Sequence, residues 1–224
     1  MDGVKVIEIK KSVFADNDRD AEALRAELKA RGVYLLNLMS SPGSGKTTTL
    51  IRTINLLKDK IRVAVMEADI DSDVDAVKIR EATGISSIQL HTGGMCHLDA
   101  DMTRQGIRAL GLEDAELIVL ENIGNLVCPA EFDTGAAINM TILSVPEGDD
   151  KPAKYPLMYQ TCDILVVNKI DTLPIFDFDT ARMERYARER NPEIEIYYIS
   201  AKTGEGVQAL ADALMQKVKE WNAK

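Results

Sequence analysis

A glycine-rich segment between an apolar run and a helical pattern constrains this chain more than any other feature. The apolar run Val33–Met39 leads directly into SSPGSGKT at positions 40–47, and the amphipathic run Lys46–Leu57 follows. A loop of small residues lets backbone N–H groups turn inward around phosphate oxygens at a helix N-terminus, where the helix dipole also favours an anion. The order strand, loop, helix therefore predicts a phosphate-binding loop, or P-loop.

This loop supplies a set of predicted contacts with a bound nucleotide. They are Gly43, Ser44, Gly45, Lys46, Thr47 and Thr48. We expect Lys46 to reach the β- and γ-phosphates and to act in catalysis, and the Thr47 hydroxyl to bind magnesium. Ser40 stands where the pattern usually has its first glycine, and its small side chain should still fit. The alternative, an incidental glycine turn with a solvated lysine, leaves the flanking strand and helix unexplained.

The rest of the chain alternates short apolar runs with longer amphipathic ones. The runs predicted as strands are Val33–Met39, Arg62–Ala68, Leu117–Glu121, Met140–Val145, Asp163–Lys169 and Glu195–Ser200. Those predicted as helices are Asp18–Arg31, Lys46–Leu57, Asp73–Thr83, Leu98–Leu110, Asp179–Arg190 and Gly206–Lys219. Several strands are apolar at consecutive positions, as expected when both faces are covered. The alternation predicts an α/β fold, a P-loop NTPase three-layer sandwich with a mostly parallel sheet and helices on both faces.

Length and composition limit the remaining possibilities. The 224 residues suffice for one well-buried core, so we expect a single P-loop domain over residues 1–224, with an N-terminal helix at about 17–31. The segment 146–156 contains three prolines and a cluster of charges, which predicts a loop.

Charge and hydropathy exclude other classes. The net charge of −9 disfavours nucleic acid as a partner. No apolar run reaches the roughly 18 residues that span a bilayer, so no membrane association is expected. The charged N-terminus argues against a signal peptide, and three cysteines argue against a disulfide framework. Together these features predict a cytoplasmic protein.

Two short motifs predict that the base is guanine. Asn168-Lys169-Ile170-Asp171 directly follows an apolar strand, and Ser200-Ala201-Lys202 ends the next one. The Asp171 carboxylate can accept two N–H bonds from guanine, whereas adenine lacks that pair of donors. Asn168 can tie this loop to the P-loop, the Lys169 stem can lie along the ring, and the second motif is similar to the loop that meets the guanine carbonyl. We therefore expect GTP and GDP as ligands.

Acidic residues at two further strand ends predict the magnesium site. Asp69 follows the second predicted strand, at the edge where α/β sheets place ligands, and is our choice for the ion. Asp75 is expected to orient the attacking water. Glu121 and Gly124 occupy the place of the Asp-x-x-Gly sequence of many GTPases, so Glu121 is a second expected ligand and Gly124 a sensor of the γ-phosphate. A Ras-like glutamine is absent, which predicts slow intrinsic turnover.

Cys96, His97 and Cys128 form a candidate site for nickel or zinc, because thiolate and imidazole suit such cations. They follow different strands, so their loops would have to converge. Three ligands leave an ion under-coordinated, and a twofold dimer would complete the set. The alternative is that the cysteines are small buried apolar residues and that His97 caps a helix. Cys162 is expected to be a buried filler, and His91, which ends a strand-like segment, a structural or solvent-facing residue.

Several strings resemble the HypB GTPases. They are residues 41–47, Cys96-His97-Leu98-Asp99-Ala100, ENIGNLVCP at 121–129, EGDDKP at 147–152 and NKID at 168–171. The resemblance implies a GTP-dependent homodimer and a nickel or zinc site at the dimer interface, with Cys96, His97 and Cys128 as the ligands. It also implies work with a HypA-type nickel chaperone on the hydrogenase large subunit. Some members carry an N-terminal cysteine motif or a histidine-rich stretch, and this sequence shows neither, so we expect no nickel-storage role.

Three other interpretations remain in view. A urease-type nickel GTPase (UreG) shares the fold and nucleotide chemistry but usually presents Cys-Pro-His, whereas Pro129 is followed here by Ala130. A GTP-dependent dimerisation switch with a structural zinc would bind metal regardless of nucleotide. A small-molecule kinase conflicts with the guanine motifs.

Overall fold

The fold is built on one parallel sheet. The computed structural model describes residues 5–8, 16–69, 73–111 and 115–223. The eight strands are β1 (Lys5–Glu8), β2 (Tyr34–Ser40), β3 (Val63–Asp69), β4 (Ser86–His91), β5 (Leu117–Glu121), β6 (Ile138–Ser144), β7 (Ile164–Asn168) and β8 (Glu195–Tyr198). Their spatial order is β1-β4-β3-β5-β2-β6-β7-β8, and every neighbouring pair is parallel. The predicted α/β fold is confirmed.

Helices connect the strands. They are α1 (Asn17–Ala30), α2 (Lys46–Leu57), α3 (Val74–Thr83), α4 (Ala100–Leu110), α5 (Cys128–Glu131), α6 (Lys151–Lys154), α7 (Pro156–Thr161), α8 (Thr180–Arg190) and α9 (Val207–Ala223). Two 3₁₀ turns lie at Val145–Glu147 and Ile170–Thr172. The prediction of a loop over 146–156 was wrong, because Pro152 and Pro156 lie in the first turns of α6 and α7, where the missing N–H would have no partner in any case.

Side chains from both faces of the sheet are buried. On β2, Leu36 and Leu38 pack with α2 and α9, while Leu35 packs with α1 and α4. Met39 belongs to a third apolar cluster with α7 and α8. Alternate residues of one strand therefore serve different layers, which is the period-2 signature of a strand covered on both sides.

This topology brings four strand ends to one edge of the sheet. Ser40, Asp69, Glu121 and Asn168 are the last residues of β2, β3, β5 and β7. Because all the strands are parallel, their carboxyl ends meet at the same edge, where α/β sheets form their ligand clefts.

Candidate functional site

The P-loop is held by bonds between its own residues. Ser40 is fully buried, and its hydroxyl oxygen accepts from Ser44 Oγ at 2.6 Å and from Lys46 Nζ at 3.1 Å. The serine that replaces the usual glycine therefore fits and serves as an internal acceptor. Gly45 has a φ of +99°, and a Cβ there would lie 2.4 Å from Asn168 Nδ2. Only glycine allows this close approach between the P-loop and the loop after β7.

A cleft of about 470 Å³ runs from the P-loop to the ends of β3 and β5. Gly43, Thr48, Asp69, Asp75 and Gly124 are among its lining residues. A Cβ on Gly124 would lie 3.1 Å from the Pro42 ring, so the glycine lets the loop after β5 approach the P-loop. The structure thus brings the predicted phosphate-binding and acidic residues to one cleft.

Three carboxylates converge in this cleft. Glu67, Asp75 and Glu121 each offer an oxygen within 4.8 Å of the others, and Thr47 Oγ1 donates to Glu121 Oε1 at 2.9 Å. The Oε2 atoms of Glu67 and Glu121 are buried without a hydrogen-bond partner among the described residues. Unpaired buried carboxylate oxygens beside a hydroxyl are donors that suit a hard divalent cation such as magnesium. Asp69 lines the cleft but lies outside this group.

Burial shifts the titration of two of these carboxylates. Burial, and then the charge of Glu121, raises the pKa of Glu67 to about 8. Burial raises the pKa of Glu121 to about 7, against the opposing effects of Lys46 and the Thr47 hydroxyl. Buried like charges resist ionising together, so a cation bound here would favour the ionised forms. Sequence reasoning did not select Glu67, although a carboxylate inside an otherwise apolar strand was a usable signal.

A second pocket, of about 250 Å³, adjoins the cleft and shares Gly45 and Thr48 with it. Asn168 organises this pocket, because its Nδ2 donates to the Ser44 carbonyl at 2.9 Å and its Oδ1 accepts from the Ala201 N–H at 3.0 Å. One buried amide thus joins the P-loop, the loop after β7 and the loop after β8.

Lys169, Asp171 and Lys202 of the predicted base-binding motifs line the same pocket. Lys169 has a φ of +62°, and its Nζ donates to the Gly43 carbonyl at 2.7 Å. Asp171 Oδ1 accepts from Ser200 Oγ at 2.7 Å, and Lys202 lies at the rim. The two predicted motifs are therefore adjacent in space, with the Asp171 carboxylate at the pocket.

Cys96, His97 and Cys128, which we call the thiol–imidazole cluster, are neighbours in two pairs that share Cys96, but their ligand atoms do not all lie within 4.8 Å of one another as those of the three carboxylates do. Cys96 Sγ lies 3.9 Å from His97 Nδ1, so these neighbouring side chains point to the same region. A hydrogen bond with Cys128 is the largest cause of a raised pKa for the Cys96 thiol, followed by burial. A bound metal would have to displace that proton, since the thiolate is the ligand.

Two neighbours hold the cluster. The His97 ring stacks on Phe132, with 3.5 Å between ring centroids and 9° between planes. Asn125 Nδ2 donates to Cys128 Sγ at 3.5 Å, while Asn125 Oδ1 accepts from the backbone N–H of Val127 at 2.7 Å. His97 precedes α4, but Asp99 caps that helix, so the capping alternative for His97 fails. Cys162 is fully buried, as predicted.

The sheet, the P-loop and the adjoining pocket define a P-loop nucleotide-binding protein. The family profile described as CobW/HypB/UreG, nucleotide-binding domain, matches residues 34–198. The hydrogenase maturation factor HypB of Azotobacter vinelandii is 47% identical over 203 residues, which are 91% of this chain and 67% of that protein. The chain belongs to the CobW/HypB/UreG family and, within it, to the HypB proteins.

Other relatives agree with this assignment. The hydrogenase/urease maturation factor HypB of Helicobacter hepaticus is 38% identical, with 95% of this chain and 88% of that one covered. The crystal structure of Helicobacter pylori HypB in complex with nickel matches with a TM-score of 0.86 at 36% identity, covering 92% of this chain and 96% of that chain. The chain spans about two thirds of the Azotobacter relative. Within the described residues, every helix is too short or too polar to cross a bilayer.

Proposed function

We propose that this chain is a metal-binding GTPase that hydrolyses GTP to GDP and phosphate and delivers nickel during maturation of nickel–iron hydrogenase. The observation that carries this proposal is the buried Asn168 amide, which joins the P-loop to both predicted guanine-binding motifs beside an acidic cleft. Membership of the HypB proteins supports the same conclusion. We further propose that residues 1–224 act as one GTPase domain in the cytoplasm.

In this proposal, GTP occupies the two adjoining pockets. The backbone of Gly43, Ser44, Gly45 and Thr48 surrounds the phosphates at the start of α2. Asp171 binds the N–H donors of guanine, and the loop with Ala201 and Lys202 closes around the base.

In this structure Lys46 Nζ donates to Ser40 Oγ. When GTP binds, we expect the ammonium to move to the β- and γ-phosphate oxygens and stabilise their negative charge. Asp75 is our candidate to orient the attacking water, because it lies on α3 and lines the same cleft.

The convergent oxygens of Thr47 and Glu121 would hold magnesium, with Asp69 and Glu67 beside them. When bound, the ion would neutralise phosphate charge. Gly124 lies against Pro42. Binding of the γ-phosphate would shift Gly124 and, with it, the residues that follow in the same loop.

Nickel is the proposed cargo of the thiol–imidazole cluster. Cys128 follows Gly124 by four residues, so a movement that the γ-phosphate imposes on that loop would also move one ligand. Val127, next to Cys128, is 50% exposed, which suits the approach of a second copy of this chain. A GTP-dependent homodimer would then complete the coordination. A coupling of about 1–3 kcal/mol between the sites would suffice.

We propose that the partners are a HypA-type nickel chaperone and the hydrogenase large subunit. The name of the Helicobacter hepaticus relative also includes urease, so delivery to urease is a second candidate for the destination. The cluster could instead hold a structural zinc. Its metal affinity would then be the same with GDP and GTP, whereas nickel delivery requires an affinity that changes with the nucleotide.

Equilibrium dialysis with nickel and with zinc tests the proposal. Each metal is measured with GDP and with a non-hydrolysable GTP analogue, in wild type, in Cys96→Ala/Cys128→Ala and in Cys162→Ala as the matched cysteine control. We expect nickel affinity that changes with the nucleotide, is lost in the double variant and persists in the control. Affinity independent of nucleotide would contradict gated delivery, and metal binding retained by the double variant would contradict the assigned ligands.

A further inference from the structure

A third pocket lies at the opposite edge of the sheet from the nucleotide. Its volume is about 460 Å³, within the usual range for ligand sites. It is formed where β2, β6 and β8 begin and where α1 and α9 end. None of its lining residues belongs to the nucleotide pockets or to the thiol–imidazole cluster.

Aromatic side chains form one wall of this pocket. Tyr34 and Trp221 meet edge to face with 5.5 Å between ring centroids, and Trp221 Nε1 donates to the Val33 carbonyl at 3.0 Å. Tyr34 is only 5% exposed and lines the pocket. Its hydroxyl makes no hydrogen bond with any residue that the structure describes. The ring is buried but the hydroxyl oxygen is not sealed off, so it can accept a hydrogen bond from a donor that enters the pocket.

Carboxylates line the same pocket as that hydroxyl. Burial, and then the charges of Asp163, Glu195 and Glu220, raises the pKa of Tyr34 well above its usual value. Asp163 accepts from the backbone N–H of Asn139 at 2.8 Å, and Glu220 accepts from a glutamine amide at 2.9 Å. These donors are neutral, so they leave both negative charges uncompensated.

The pocket's own cations are already engaged. Lys217 is paired with Glu195 at 2.5 Å. The Lys29 ammonium donates to the Trp221 carbonyl and lies 4.4 Å from the Trp221 ring centroid. The carbonyl ends of α1 and α9 add negative potential. A cation that enters from outside would therefore find acceptors as well as an aromatic wall.

We propose that this pocket binds a guanidinium group carried on an alkyl chain. A guanidinium presents five donors in one plane, pairs with carboxylates and packs on aromatic rings. The Tyr34 hydroxyl oxygen and the carboxylates of Asp163 and Glu220 supply the acceptors. Ala137 and Ile138 supply an apolar surface for the alkyl chain. This site is separate from the GTPase chemistry proposed above, and the two proposals are independent of each other.

Trp221 is the single tryptophan of the chain, so its fluorescence reports on this pocket alone. The full chain is titrated with butylguanidinium and with the blocked tripeptide Gly-Arg-Gly. The neutral control is the same tripeptide with citrulline, which has nearly the shape of arginine without its charge. We expect a saturable change in emission with the guanidinium probes and none with citrulline. Tighter binding of the tripeptide would indicate a peptide as the source, and equal binding a small molecule.

Variants decide whether this pocket is responsible. Tyr34→Phe removes only the hydroxyl, and Glu220→Gln removes one charge at an exposed position, so each should weaken binding about tenfold. Glu189→Gln, an exposed carboxylate on α8, is the matched control and should bind normally. The unfolding temperature of Tyr34→Phe should match wild type, because its hydroxyl has no hydrogen bond to lose. Equal response to citrulline, no saturable change, or unchanged affinity in both pocket variants would overturn the proposal.

Discussion

The nucleotide pockets and the thiol–imidazole cluster lie at the same edge of the sheet but are held in different ways. Around the nucleotide pockets, Asn168 and Lys169 bind neighbouring loops through hydrogen bonds of 2.7–3.0 Å to backbone atoms. In the cluster, the stack of His97 on Phe132, the hydrogen bond between Cys96 and Cys128 and the 3.5 Å contact from Asn125 to Cys128 position the side chains. The first region is therefore tied to the backbone of neighbouring loops, whereas the contacts of the second join side chains to one another. In the switch proposed above, the first region would sense the nucleotide and the second would adjust its metal geometry in response.

The largest expected effect concerns the nucleotide pockets. Lys46→Ala should reduce GTP turnover by about 100-fold or more, because the phosphates lose the cation that stabilises their developing charge. Single-turnover hydrolysis measures the change, with Lys60→Ala at an exposed turn as the control. Nickel affinity without nucleotide should be unaffected. Normal hydrolysis by Lys46→Ala would remove the catalytic role from this lysine.

The second largest expected effect concerns the thiol–imidazole cluster. His97→Ala should weaken nickel binding by about 10- to 100-fold, since a ligand is lost. Phe132→Leu removes the stacked ring but keeps the imidazole, so it should weaken binding less. Metal titration with a competing chelator measures both, and GDP affinity should not change in either variant. If His97→Ala bound nickel as wild type does, His97 would be only a packing residue.

A smaller effect comes from the amide that joins the loops. Asn168→Ala leaves the Ser44 carbonyl and the Ala201 N–H without their partner, so GDP affinity should fall about tenfold. Calorimetric titration with GDP measures it, and Asn191→Ala, a residue away from the nucleotide, serves as the control. Equal losses in the two variants would mean that Asn168 acts through general stability and not through the pocket.

The smallest effect concerns a segment outside both regions. Burial opposes ionisation of Asp149, but hydrogen bonds from Arg182 at 2.6 Å and from the Asp179 N–H at 2.7 Å prevail and lower the pKa of Asp149. A lowered folded-state pKa stabilises the protein above the unfolded pKa of about 3.9, and that stability is lost as the pH falls.

Asp149→Asn should therefore lower the unfolding temperature at neutral pH by about 2–4 °C, with the difference shrinking toward pH 3. Thermal unfolding by circular dichroism at a series of pH values measures this, with GDP and nickel binding unchanged. A difference independent of pH would show that packing, and not charge, is responsible.

Much of the nucleotide site followed from the sequence, because its parts are local. Gly45 and Lys46 act within one strand–loop–helix unit, and the motif that begins at Asn168 follows one strand. Glu67 was missed because its partners, Asp75 and Glu121, come from other elements. The strands β1 and β4 are not among the six predicted strands, although His91 was placed at the end of a strand-like segment.

The sequence by itself determined the parallel sheet, the P-loop, the guanine motifs and membership of the HypB proteins. Periodicity, turn chemistry and short motifs depend on neighbours along the chain, and a sequence displays those directly. The tertiary structure alone decided that Cys96 and Cys128 meet, that Ser40 holds Lys46, and that Tyr34 faces carboxylates at the far edge of the sheet. These contacts join residues from separate elements, and their distances depend on how helices and strands pack.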